Sequence, residues 1–410
     1  MPAASVSDCV PLSCHSLSPV WLICDTEVFN AYPHRWWDMS QRRRTFLSSV
    51  GTATAIGVAG CLGGGDGSSG DGGDTDGNGS DGGDGDSGPA ARIGMVYATG
   101  GLGDGSFNDQ AQTGVIRAEE ELNIAYDESQ PEAVQDFASL QQQYAQSSNP
   151  NYDLVCCIGF LQADALTENA SQYPEQNFMI VDSTVDADNV GSYVFGEHQG
   201  SFLVGLMAAR LSSQDFSAGA GSTQSDSTNV GFVGGVEGDL IGRFEAGYKA
   251  GVKHANEDID IQTAYVGDFN DPSGGQEAAL SMYNSGADIV YHAAGNTGTG
   301  VFRAAQEAGR FAIGVDRDQS VTKENFSDII LASMVKRVDN AVYTSIESVI
   351  NDNFEGGTVN TLGLEQNGVE AVYGQQLGSE IPQAVKDEVS EVRQSIIDGD
   401  ISVPTDPGNV

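Results

Sequence analysis

The sequence predicts an α/β fold built from two doubly wound parallel-sheet lobes joined by a hinge. Three observations predict it. From Arg92 onward, short apolar runs alternate with longer segments of helical periodicity, the pattern of strands linked by crossover helices. The alternation lapses over a polar stretch, 212–229, and then restarts, so one α/β unit follows another. The chain has 410 residues, enough for two cores and their appendages.

Taken in order, the chain opens with residues 1–38, which show neither helical nor strand periodicity. A targeting signal should begin a chain, and Met39 stands directly before one, so 1–38 reads as an untranslated upstream extension. Residues 39–60 carry Arg43-Arg44-Thr45-Phe46-Leu47, which resembles a twin-arginine export signal, and a short apolar stretch too brief to span a bilayer. Val58-Ala59-Gly60-Cys61 then resembles a lipobox, making Cys61 the expected lipidated first residue of the mature chain. Residues 61–91 are mostly Gly, Asp and Ser, a composition that buries nothing and behaves as a flexible tether.

The first lobe is expected over 92–227. Its strands are Ile93–Ala98, Leu154–Gly159, Phe178–Val181 and Tyr193–Phe195, and its helices Asp109–Leu122, Ala133–Gln146, Gln162–Gln172 and Ser201–Leu211. The polar stretch after them has no period and reads as a linker or surface insertion. The second lobe, 228–328, repeats the scheme with strands Val230–Gly234, Gln262–Val266, Ile289–Ala293 and Phe311–Val315. Helices Leu240–Asn256, Gly274–Ser285 and Gly298–Ala308 lie between them; in the first, Ile241, Phe244, Tyr248 and Val252 line one apolar stripe. Residues 329–410, with strand Ile329–Val335 and helix Asp339–Ile350, are expected to cross back and contribute to both lobes. Two such lobes leave a cleft where strand ends face each other, the usual ligand position in this architecture.

Charge excludes one class of partner. Asp and Glu number 58 against 18 Lys and Arg, a net charge of −40, and phosphate contacts need a basic footprint. Nucleic acid is therefore not an expected partner. At molar salt the Debye length falls to about 3 Å, so an acidic surface of this kind suits a halophile's medium. Six cysteines form no metal-binding or disulfide pattern; Cys156 and Cys157, inside an apolar run, read as core thiols or as a vicinal disulfide. No metal or cofactor motif appears.

Four stretches resemble a known family: GGLGDGSFND (100–109), VGFVGGVEGDLIGRFEAGYKAGV (230–252), YVGDFNDPSGGQEAALSMYNSGADIVYHAAGNTGTGVF (265–302) and IGVDRDQ (313–319), with GSFLVGLMAA (200–209) agreeing. They are similar to the basic membrane protein (BMP) family of nucleoside-binding lipoproteins that serve ABC transporters. The resemblance covers about residues 92–375 and follows family order. It implies a type I periplasmic-binding-protein fold, closure on a nucleoside, an ABC permease partner and no catalysis; a monomer is expected, with lipid at Cys61 anchoring it on the extracellular face.

Each candidate site residue carries a structural reading beside the functional one. Phe107 and Asn108 lie in a strand-to-helix loop, where turn and cap chemistry alone would explain them. The resemblance makes Phe107 one stacking wall and Asn108 a polar contact. Some family members have Asp at the position held here by Ala98, so a contact made there has no counterpart in this chain. Asp164 sits where an acid usually caps a helix; the resemblance implies that it reads base N–H groups, which favours purines because a carboxylate only accepts. Phe244 fits a core stripe by its period, and the resemblance makes it the second aromatic wall, from the other lobe. Asp316 follows an apolar strand and is either a loop acid or a bidentate acceptor for the two ribose hydroxyls. Lys336 is either a solvated cation or, by family context, a ligand contact. Gly295-Asn296-Thr297-Gly298 reads as a close backbone approach to the ligand.

The function expected on these grounds is capture of a nucleoside, purine preferred, for an ABC importer. A ligand-presenting sensor or a binder of another small polar solute, such as a sugar, fits the same fold. An enzyme would need a nucleophile or metal motif, and His198, His254 and His292 supply no such spacing.

Overall fold

The computed structural model describes residues 88–224 and 228–410. The expected upstream extension, the export signal, the lipid site at Cys61 and most of the tether lie outside the described residues, so those expectations stay with the sequence.

The first lobe is laid down by β1 (Arg92–Val96), α1 (Phe107–Leu122), β2 (Ala125–Ser129), α2 (Phe137–Ala145), β3 (Leu154–Ile158), α3 (Ala163–Gln172), β4 (Phe178–Val181) and β5 (Val190–Phe195). Next come α4 (Glu197–Ser212) and a small hairpin of β6 (Ser217–Ala218) and β7 (Gly221–Ser222), which occupies the stretch read as a linker or insertion. The second lobe runs through β8 (Asn229–Gly234), α5 (Asp239–Ala255), β9 (Asp260–Tyr265), α6 (Pro272–Asn284), β10 (Ile289–Ala293), α7 (Gly298–Ala308), β11 (Phe311–Asp316), α8 (Gln319–Thr322) and β12 (Ile330–Lys336). The chain ends with α9 (Val338–Ile350), β13 (Thr358–Leu362), β14 (Val369–Tyr373) and α10 (Gln383–Ile397).

Two sheets result, with spatial orders β13-β5-β4-β3-β1-β2 and β14-β12-β11-β10-β8-β9. Every pairing within them is parallel except β12 with β14. The orders are superimposable, so β4 corresponds to β11 and β5 to β12. Central strands such as β3 (LVCCI) and β4 (FMIV) are buried along their whole length because helices cover both faces. Cys156 and Cys157 are buried free thiols, so the vicinal disulfide does not form. Edge strand β2 (AYDES) is half exposed and carries charge, which is why its alternation escaped the sequence reading.

The helix expected to close the first lobe, before the boundary at 227, packs elsewhere. Helix α4 leaves β5 and packs instead on α5, α10, β12 and β14 of the second lobe. Glycines permit the close α4–α5 approach: a Cβ at Gly247 or Gly251 would collide with the carbonyls of His198 and Phe202. Nearly all of α4 is buried by this packing. Helix α9 then returns to lie against α1 in the first lobe. The chain thus passes between lobes three times, after β5, after β12 and between β13 and β14. Few connections link the two lobes, so bending at these crossings can move one lobe against the other as a hinge does.

Candidate functional site

A cavity lies between the lobes, with about 680 Å³ of empty space once the open solvent at its mouth is included. Its walls are loops that follow β1, β3 and β4 on one side and β9 and β10 on the other, with the ends of β11 and β12 and one face of α5. These are the carboxyl ends of parallel strands, where backbone amides and loop side chains are free to face a ligand.

One buried cation organises the cavity. Lys336, the last residue of β12, is 2% exposed, and its Nζ lies 2.6 Å from Asp182 Oδ2 and 3.9 Å from Glu197 Oε1. The same ammonium stands 4.8 Å from the Phe107 ring centre, 5.3 Å from Phe244 and 5.5 Å from Phe195, so aromatic faces and carboxylates surround it together. Burial alone would depress the lysine, but Asp182, Asp316 and Glu197 outweigh it and hold the ammonium above its ordinary value. Burial raises the Glu197 carboxyl, against the pull of Lys336 and of Arg243, whose Nε donates to Glu197 Oε2 at 3.2 Å.

Asp182 and Asp316 occupy equivalent places, immediately after β4 and at the end of β11. Both adopt the left-handed backbone region, at φ 67° and 63°, which Asp tolerates better than most residues. Backbone strain of this kind persists only where the surrounding structure holds it. Burial pushes the Asp316 carboxyl up to about 6, partly offset by Lys336 and by the Ser106 hydroxyl, which donates to Asp316 Oδ2 at 2.5 Å from the opposite lobe. Asp182 lines the cavity, and its Oδ1 is buried with no hydrogen-bond partner among the described residues. Such an orphan is costly unless a donor meets it.

The structure brings Phe107, Asn108, Phe244, Asp316 and Lys336 to the cavity wall. Phe244 is both wall and core, being 2% exposed in the main hydrophobic cluster. Asn108 is committed to its own loop: its Oδ1 accepts from Ala98 N–H at 2.9 Å, and its Nδ2 donates to the Gly101 carbonyl at 3.1 Å and to Asp104 at 3.3 Å. Asp104 in turn accepts from the backbone amides of Ser106 (2.8 Å) and Asn108 (2.9 Å), closing the start of α1. Asp164 does not reach the cavity; it is exposed in the first turn of α3, where an acid suits the helix dipole. The acid that lines the cavity on that side is Asp182, whereas α3 turns Asp164 outward. Gly295 and Asn296 line the cavity.

Sequence reasoning missed Asp182, Glu197, Ser106 and the pair Phe160 and Phe269. Asp182 had a signal, since an acid directly after the four-residue run Phe178–Val181 repeats the placing of Asp316 after Phe311–Val315. Phe160 and Phe269 come from opposite lobes and meet edge to face, with ring centres 6.4 Å apart at 82°, beside the cavity. Nothing local in the sequence announces that contact.

Comparison with known proteins agrees with this architecture. The family described as ABC transporter substrate-binding protein, PnrA-like, matches residues 91–407. Among relatives, the ABC transporter nucleoside-binding protein BmpA of Lactococcus lactis subsp. cremoris is 33% identical, over 77% of this chain and 89% of its own. An uncharacterised lipoprotein of Pyrococcus horikoshii is 32% identical, over 79% and 75% respectively. Among solved structures, an ABC transporter solute-binding protein of Aeropyrum pernix superimposes with a TM-score of 0.67 at 29% identity, covering 77% of this chain and 93% of that one. With nearly its entire folded part matched, this chain belongs to the PnrA-like family of ABC transporter substrate-binding proteins.

Proposed function

We propose that this chain captures a nucleoside, purine ahead of pyrimidine, on the extracellular face of the membrane and hands it to an ABC importer. The observation that carries the reading is the pair Asp182 and Asp316. They are buried carboxylates at equivalent strand ends of the two lobes, with the rings of Phe107 and Phe244 between lobes beside them. A nucleoside offers what such a site lacks: a flat ring for aromatic faces, ribose hydroxyls that donate to one carboxylate, and base N–H groups that donate to the other. In this reading Asp316 takes the ribose, and the unpartnered Asp182 Oδ1 takes the role assigned from sequence to Asp164. Lys336 supplies the donor for a ligand oxygen or ring nitrogen. The Lactococcus lactis relative, a nucleoside-binding protein by name, supports the same ligand class.

Lipid on Cys61 would anchor the mature chain, and the Gly/Asp/Ser tether would let the folded part reach a permease in the same membrane. The acidic composition suits operation in high salt, and the twin-arginine signal suits export after folding there.

A thermal-shift screen in molar salt tests the reading. Inosine and guanosine should raise the melting temperature more than free bases, sugars or amino acids. Stabilisation by a sugar or an amino acid with no response to any nucleoside would overturn it.

A further inference from the structure

Gly105 belongs to the loop before α1 in the first lobe, yet its carbonyl is held by two donors from the second. Thr322 Oγ1 donates to it at 2.8 Å and Gln319 Nε2 at 3.3 Å. The glycine is required there. Its φ is +63°, and a Cβ would lie 2.5 Å from Lys323 Cε, which packs over it.

Gln319 is wholly buried, and the other end of its amide holds the backbone beside Asp316. Oε1 accepts from Val315 N–H at 2.8 Å and from His292 Nε2 at 2.9 Å, while its own N–H donates to Ser333 Oγ at 3.0 Å. Asp316 follows Val315 at the centre of a three-residue turn, Arg317 N–H to the Val315 carbonyl at 2.7 Å, with φ at 63°. A turn of that hand is strained and persists only when its surroundings hold it. Gln319 supplies that hold on the same side chain that reaches across to the other lobe.

We propose that Gln319 is a positioning residue for the Asp316 carboxylate and that, with Thr322, it clasps the Gly105 carbonyl, so that the binding site is fully assembled only while the lobes are closed. The ligand-facing part of this inference rests on the nucleoside reading; the clasp itself does not. Closure and carboxylate alignment are then one event. The Ser106–Asp316 hydrogen bond forms in the same movement, since Ser106 adjoins Gly105.

The test compares the wild-type chain with Thr322→Val, Gln319→Glu and Gln319→Leu. Thr322→Val removes one donor at nearly constant shape. Gln319→Glu keeps the acceptor for Val315 but, when ionised, cannot donate to Gly105. Small-angle scattering of the ligand-free proteins should show a larger radius of gyration for all three. In stopped flow, Thr322→Val should release inosine about fivefold faster with little change in association rate, the effect of one net hydrogen bond on the closed state. Gln319→Leu should weaken inosine at least about tenfold beyond Thr322→Val, because Asp316 loses its support. Unchanged scattering and release in Thr322→Val and Gln319→Glu would overturn the clasp. Equal losses in Gln319→Leu and Thr322→Val would overturn the positioning role. Should the wild type ignore inosine and guanosine alike, the nucleoside reading falls, while scattering still decides the clasp.

Discussion

Lys336 Nζ lies 2.6 Å from Asp182 Oδ2, and the two residues stand in different lobes. The pair is almost wholly desolvated, with side chains 2% and 3% exposed. Neither charge can be removed cheaply, because the survivor stays buried without its partner. Lys336→Met leaves Asp182, Glu197 and Asp316 facing one another without their shared cation. It should destabilise the protein by about 3 kcal/mol in denaturant unfolding. The double variant Lys336→Met/Asp182→Asn should lose clearly less than the sum of the single losses, since the partners are directly coupled. Strict additivity would mean that the two side chains do not interact in solution.

Ligand binding separates the acids. Asp316→Ala and Phe244→Ala should each abolish most of the melting-temperature shift produced by inosine. Asp182→Asn should weaken inosine about tenfold or more, the effect of losing a charge-assisted hydrogen bond of about 1.5–3 kcal/mol. Asp164→Ala should leave affinity within twofold of wild type, because that side chain points to solvent. Calorimetric titration of the four variants checks the whole set. A strong loss in Asp164→Ala with none in Asp182→Asn would reverse the assignment.

Affinity should also depend on pH through Asp316. Burial raises this carboxyl to about 6 from an ordinary carboxylate near 4, so the folded protein holds a proton there that the unfolded chain has released. The sign for stability follows: between about pH 4 and 6 the folded state binds more protons, so this group's contribution to stability falls as pH rises through that window. Ligand hydroxyls need the ionised form, so inosine affinity should move the opposite way and fall as pH drops below about 6. Asp316→Asn should show a weak and flatter profile. A wild-type affinity unchanged between pH 7 and pH 5 would contradict this.

The α4–α5 contact should be intolerant of any added side-chain carbon. Gly247→Ala and Gly251→Ala each place a Cβ against a backbone carbonyl that cannot rotate away. Each should cost about 1–3 kcal/mol in thermal or denaturant unfolding, the range for overpacking a close interface. Gly238→Ala meets nothing within 4 Å and is the contrasting substitution on space alone.

Several features of the molecule were legible from one dimension. Buried parallel strands declare themselves by continuous apolar runs: Phe178–Val181 and Ile289–Ala293 appear in the structure with the bounds read from sequence, and helix Gly298–Ala308 likewise. Loops after such strands must face the cleft, which placed Phe107 and Asp316 at the cavity. Half-exposed elements were less legible. β2 and β13 carry polar or charged residues on their open faces, and short edge strands hold too few apolar positions to establish a period.

The sequence by itself determined the alternation of strand and helix, the doubling of the α/β unit and the family. Those follow from local periodicity and motif, which act over a few residues. Only the tertiary structure decided that α4 belongs to the second lobe, that Asp182 rather than Asp164 faces the cavity, and that Lys336 is buried among three carboxylates. Each of these turns on contacts between residues far apart in the chain; Asp182 and Lys336 are 154 positions apart. Burial and charge pairing at such separations depend on how the lobes pack, and no short stretch of residues encodes that.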